Sequence, residues 1–338
     1  MVNESGLAFD FEMASRRRPG KRILLSLLPI LLVLSVATAG ASSWIVYRVT
    51  HPHANPYLVT PEKFTQLSAR GVKATEETWA NHDGTQTRGW LLRGSEGAPA
   101  VILLHRYDTD RSWLLNLGVK INEQSNFTVL WLDQRGHGQN PIVKSSALGF
   151  VEGDDALAAL EYLRSLKSSG GRQSVGKAVG IYGVEMGAYA ALKAATKDPG
   201  VTSLALDSVP SAPSEVVKLA VRLQLGIDNR PVQSLARLGM QAYLMGHYDD
   251  VASCKLASEI GQRQVLLLAG ESSGSLRAST AALADCFSQS SDTVEVQTSL
   301  PLVGYSLHPS TGQQEEAYDR RVIDFFDKAL RIRGTDDR

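Results

Sequence analysis

The chain has no charge bias. Among its 338 residues, 35 basic side chains balance 35 acidic ones. A duplex or single strand of nucleic acid is held mainly by neutralising its phosphates, so the balanced net charge gives no reason to expect one as a partner. Cysteine is nearly absent, with only Cys254 and Cys286. Two thiols exclude a cysteine-rich zinc module or a small disulfide scaffold. There is no internal repeat and no long low-complexity tract, which excludes a solenoid or a propeller. His105, Asp108 and Asp110 are the nearest approach to a ligand cluster, and their spacing fits neither zinc nor calcium. No metal or cofactor is therefore expected. Hydrophobic residues make up 43% of the chain, enough for a sizeable core.

One further absence is local. From Ile23 to Tyr47 there is no charged residue. A bilayer is crossed by about 20 apolar residues, so this run is long enough to span one, and Pro29 is tolerable within it. Arg16, Arg17, Arg18, Lys21 and Arg22 precede it, while Trp44 and Tyr47 stand at its far end. Cations on one side and interfacial aromatics on the other predict a signal-anchor helix, with the N-terminus cytoplasmic and the main domain periplasmic or extracellular. The competing reading is a cleaved signal peptide, because Ala37-Thr38-Ala39 resembles a cleavage site. A twin-arginine signal fits less well, since Pro19 and Gly20 stand where that motif wants apolar residues. The expected organisation is a basic tail over 1–22, a transmembrane helix over 23–47, a Pro-rich tether over 48–69, a main domain over 70–332 and a tail over 333–338.

Within the main domain, short apolar runs alternate with helical patterns. Strands are expected at Pro99–His105, Phe127–Leu132, Lys177–Tyr182, Val201–Leu206, Gln264–Ala269 and Thr293–Thr298. Helices are expected at Trp113–Glu123, Glu152–Leu166, from Met186 onward, and at about Glu315–Leu330. This rhythm predicts an α/β architecture, a mostly parallel sheet covered by helices on both faces. The third of these strands passes into its helix with almost no loop, through Gly183-Val184-Glu185-Met186-Gly187. Such a turn is sharp and strained, and glycines on either side let the backbone fold back. It presents one side chain, Glu185, at the carboxyl edge of the sheet beside a helix N-terminus.

These ordered features resemble the α/β-hydrolase fold, and most closely the bacterial membrane-anchored esterase-like and prolyl-oligopeptidase-like hydrolases. The resemblance covers roughly residues 70–332 and implies ester or amide hydrolysis, with the elbow written G-x-S-x-G. Here Glu185 replaces the nucleophilic Ser. The matching His position is His308, in the loop after the last strand. The family acid would fall at Glu271, the carboxylate of Gly270-Glu271-Ser272-Ser273-Gly274, or at Asp207 after the preceding strand. The resemblance implies oxyanion amides at Met186 and at Arg106, which follows His105, and a helical cap over about 211–253 that shapes the choice of a small-molecule or peptide ligand. His137, in Arg135-Gly136-His137-Gly138, reads as a residue that shapes its loop.

Two chemical readings of Glu185 stay open at this stage. A carboxylate is a poor nucleophile toward esters and amides, so Ser-type activity is lost and the protein is a pseudoenzyme or a binding or scaffold protein. Alternatively Glu185 attacks at carbon, or acts as a base with His308, as carboxylates do in the dehalogenase and epoxide hydrolase branches of this fold. Lastly, the strand Gln264–Ala269 and the helix after it carry the chain out and back. Cys254 and Cys286 are thereby brought to the same edge, where a disulfide is expected outside the cytoplasm.

Overall fold

A computed structural model describes residues 19–53, 56–67, 72–287, 293–300, 304 and 312–335. In chain order it contains α1 (Pro19–Thr50), α2 (Pro61–Leu67), β1 (Ala74–Ala80), β2 (Gln86–Leu92), β3 (Ala98–Leu104), α3 (Leu115–Ser125), β4 (Thr128–Leu132), α4 (Glu152–Ser165), β5 (Val175–Val184), α5 (Met186–Lys197), β6 (Val201–Asp207), α6 (Pro213–Leu225), α7 (Arg230–Leu244), α8 (Ser253–Glu259), β7 (Gln264–Leu268), α9 (Ser275–Leu283), β8 (Val294–Gln297) and α10 (Gly312–Thr335). The eight strands form one sheet in the order β1-β2-β4-β3-β5-β6-β7-β8. β2 runs antiparallel to both β1 and β4, and every pairing from β4 to β8 is parallel.

The expected strands and helices are all present, with ends shifted by a few residues. β1 and β2 were not among the expected strands. β1 carries Glu76 and Glu77 and buries only Trp79, so it lacks the apolar run that marks the central strands. Its turn is legible afterwards: Asn81 donates its N–H to the Thr85 carbonyl at 2.8 Å, and Gly84 has φ 81°.

Strand pleating divides the core. Ile102, Leu104, Ile181, Leu204 and Leu206 meet α4, α5 and α8 on one face. Val101, Leu103, Tyr182, Val184 and Ala205 meet α3 and α10 on the other. A third cluster caps the carboxyl edge of the sheet, where α6 and α7 pack with Tyr107, Phe150 and Met186. The last turns of α1 belong to this cluster: Ile45, Val46 and Val49 are buried in it. The helix therefore runs on past Tyr47, into the domain. Its upstream stretch, Leu27–Val36, is exposed and apolar, and α1 is long and apolar enough to cross a membrane.

The Pro-rich segment that follows is fastened to the domain along its described length. Tyr57 donates its hydroxyl to Asp133 Oδ2 at 2.6 Å, and Leu58 N–H donates to Ser112 Oγ at 3.0 Å. Tyr57, Val59 and Phe64 lie against the α3–α10 side of the core. On the opposite edge, Cys254 at the start of α8 and Cys286 after α9 form the expected disulfide, with Cα atoms 5.1 Å apart.

Candidate active site

The turn between β5 and α5 has the strained geometry that its sequence predicts. Glu185 adopts φ 51° and ψ −109°, a conformation that costs a non-glycine residue on the order of 1–3 kcal/mol. Its N–H donates to the Asp207 carbonyl on β6 at 2.9 Å, and its carbonyl accepts from Tyr189 N–H at 3.0 Å. The flanking glycines are required for space. A Cβ on Gly183 would stand 2.7 Å from the Ala188 Cα, and one on Gly187 would stand 2.7 Å from the His105 carbonyl oxygen.

The Glu185 side chain is fully buried, and neither carboxylate oxygen has a hydrogen-bond partner. Burial pushes its pKa up to about 7, and the nearby Asp108 charge adds to the rise. The Arg106 guanidinium is the largest opposing influence, followed by the backbone N–H groups of Met186 and Tyr107. These two amides face the carboxylate closely enough to favour its charged form, without the alignment of true hydrogen bonds. Met186 is one of the expected oxyanion donors. The other amide facing the carboxylate is that of Tyr107, one residue beyond Arg106, whose contribution is its positive charge.

The two histidines near the turn are structural fasteners. His105 donates Nδ1–H to the Arg106 carbonyl at 2.7 Å and accepts from Gln134 N–H on Nε2 at 3.1 Å. His137 repeats the pattern, donating to the Arg135 carbonyl at 2.9 Å and accepting from Asp108 N–H at 3.1 Å. Burial is the main cause that lowers their pKa values, to about 4 and about 3, so both rings are neutral at physiological pH.

Asp207 lies at the end of β6 with its carboxylate enclosed. It accepts from Ser208 Oγ at 2.7 Å, from Gly304 N–H at 2.7 Å and from the Tyr318 hydroxyl of α10. Tyr318 in turn shares a hydrogen bond of 2.6 Å with Tyr182. Burial raises the Asp207 pKa to about 6. The structure thus brings Glu185 and Asp207 together through the backbone, while the Asp207 side chain is engaged by α10. Glu271 is exposed in a single 3-10 turn, Glu271–Ser273. His308 lies outside the described residues. Gly304, four residues before it, is tied to Asp207.

Several residues around the site were not legible in the sequence. Tyr107 is buried and donates its hydroxyl to the Val49 carbonyl of α1 at 2.7 Å, so the loop beside Glu185 is attached to the N-terminal helix. Arg111 is buried over Trp90, 4.2 Å from the ring centroid, and pairs with Glu76 at 2.8 Å and Asp133 at 3.3 Å. Buried arginines leave no periodic signal. The only clue was a cation directly after the acidic loop Asp108–Asp110.

No family model matches the chain, and no curated protein resembles it by sequence. Solved structures do resemble it. An esterase of Pyrococcus furiosus superposes with a TM-score of 0.62 at 16% identity, covering 83% of this chain and 98% of its own. The chain has the α/β-hydrolase fold. An acylaminoacyl peptidase of Pyrococcus horikoshii gives a TM-score of 0.57 at 11% identity, over 81% of this chain and 44% of its own. A dienelactone hydrolase of Anabaena variabilis gives 0.52 at 13% identity, over 76% and 98%. At such identities the likeness concerns the fold and not the chemistry. Within that fold, Glu185 lies in the turn between β5 and α5, and α6 and α7, between β6 and β7, pack with the end of α1 over the carboxyl edge of the sheet.

Proposed function

We propose that this protein is a membrane-anchored, extracytoplasmic member of the α/β-hydrolase fold that has lost serine-type hydrolysis and serves as a binding or scaffold protein. One observation carries this reading: Glu185 is fully buried and unpartnered at the elbow. A tetrahedral intermediate needs amides free to receive its oxyanion. Here the amides of Met186 and Tyr107 face a carboxylate of the protein itself. A negative charge at that point would repel the developing oxyanion, and a protonated carboxyl is no nucleophile. Anchoring is supported by the length and apolar character of α1, the cations before it and the disulfide, which suits an oxidising compartment.

The test of lost serine chemistry is a fluorophosphonate probe on the purified full-length protein. No labelling is expected, and labelling of any serine overturns the reading. Topology is tested with reporters fused to the C-terminus. An extracytoplasmic reporter should be active and a cytoplasmic one silent, with the chain retained in membranes after a carbonate wash.

A second reading rests on the Glu185 pKa of about 7. A carboxyl poised near neutrality suits general-base work on a water or attack at a carbon centre. Turnover of an epoxide or haloalkane that disappears in Glu185→Gln would establish this chemistry in place of the binding role.

A further inference from the structure

A large apolar groove lies beside α1. α1 and α7 leave between them a groove of about 800 Å³, walled by α1 from Leu34 to Thr50, by His51 just after it and by α7 from Leu235 to Tyr243. The floor is tight, because Gly239 packs onto Ser42 and Val46. The rim is apolar and exposed: Leu238 is 62% accessible and Tyr243 47%, and Met245 just beyond is 82% accessible. Several of the hydroxyls that face this region are already engaged. Ser35 donates to the Leu31 carbonyl at 2.8 Å, Thr38 to the Leu34 carbonyl at 2.8 Å and Ser42 to the Leu235 carbonyl at 3.2 Å. The groove thus offers its occupant little but apolar contact.

We propose that this groove receives an acyl chain of a bilayer lipid, with the cap helix α7 sunk into the outer face of the membrane. The inference rests on the reading of α1 as a membrane anchor. It follows from depth. A hydrocarbon core about 30 Å thick takes up about 20 helical residues, so a span that begins after Arg22 leaves the core near Ser42. The inner half of the groove, from Leu34 to Ser42, then lies within the hydrocarbon, and its outer half lies at the headgroups. Space at that depth is filled by lipid chains and not by water. Tyr47 of α1 and Tyr243 of α7, both exposed, line the groove, and amphipathic rings of this kind favour the membrane interface. The occupant is thus a chain entering sideways from the leaflet that surrounds α1.

The experiment uses the full-length protein in vesicles of phosphatidylcholine and phosphatidylglycerol that contain a phosphatidylcholine with a diazirine on one acyl chain. After illumination, lipid adducts are mapped by mass spectrometry. Adducts are expected on α7 between Leu235 and Tyr243, as well as on the exposed stretch Leu27–Val36. Ala242→Trp fills the groove from an exposed helix position, and should lower the α7 adducts several-fold while leaving those on Leu27–Val36 unchanged. Adducts on Leu27–Val36 with none on α7 overturn the groove alone. So do α7 adducts that Ala242→Trp leaves untouched, or a cross-linked pair of chains joined through α7 with no lipid on it. A protein released by carbonate wash with no adduct anywhere overturns the anchor, and the groove with it.

Discussion

Glu185 combines two costs, a left-handed backbone and a buried carboxyl whose penalty Arg106 and the nearby amides only partly offset. Its pKa rises from 4.5 to about 7 on folding, so the folded state holds the proton more tightly than the unfolded chain. The penalty is absent below the unfolded value, grows as pH rises from about 4.5 to about 7, and is complete above that window. Glu185→Gln keeps the shape and cannot ionise. At pH 8 it should be more stable than the wild type by up to ~3 kcal/mol, and below pH 4.5 the gap should close. Thermal unfolding of the two proteins across pH checks this, and a gap independent of pH would refute it. Asp207 makes the opposite case at the same scale, a buried carboxylate with three donors. Tyr318→Phe removes one donor and leaves the Tyr182 hydroxyl without its partner, which should cost about 1–3 kcal/mol in denaturant unfolding. Of these features, the elbow itself was legible, because glycines at 183 and 187 have a steric meaning that the packing against Ala188 and His105 bears out. The state of Glu185 was not legible. It depends on Tyr107, Arg106 and Asp108, whose positions are fixed by a loop folded around His105 and His137.

At the scale of elements, the central strands were readable because burial on both faces makes each a continuous apolar run. β1 was not, because an edge strand carries charges on its open side. α1 shows the same limit in another form. Its apolar run predicted a span, but a uniform run cannot say where lipid contact ends and protein contact begins. The structure puts the start of contact with α7 near Ser42, whose hydroxyl donates to the Leu235 carbonyl. Val49 lies wholly inside the cap. Val49→Asp would bury a charge without a partner, a change of the kind that costs several kcal/mol, and should loosen α6 and α7. Limited proteolysis should then cut within 211–253, a region resistant in the wild type. Leu32→Asn on the exposed stretch should leave that pattern unchanged.

At the scale of the molecule, the disulfide and the N-terminal helix hold the sheet at separate places. Cys254 and Cys286 are 32 positions apart, and closing a loop of that length stabilises a fold by about 3–4 kcal/mol on chain-entropy grounds. Replacing both cysteines with serine should lower the melting temperature by several degrees, read by calorimetry on oxidised protein, while the α6–α7 cap stays intact. The attachment of α1 reaches further, into the order in which the protein is made. Ile45, Val46 and Val49 leave the ribosome early, yet the helices that cover them, α6 and α7, follow more than 150 residues later. Through that interval the newly made helix presents to its surroundings a stripe destined for the protein interior. The cap cannot close until six of the eight strands have been made, although Tyr107, which binds the Val49 carbonyl, follows directly after β3. Assembly at this edge is therefore a late joining of the first segment synthesised to one made much later. A chaperone that shields exposed apolar helices would find its client at that stage.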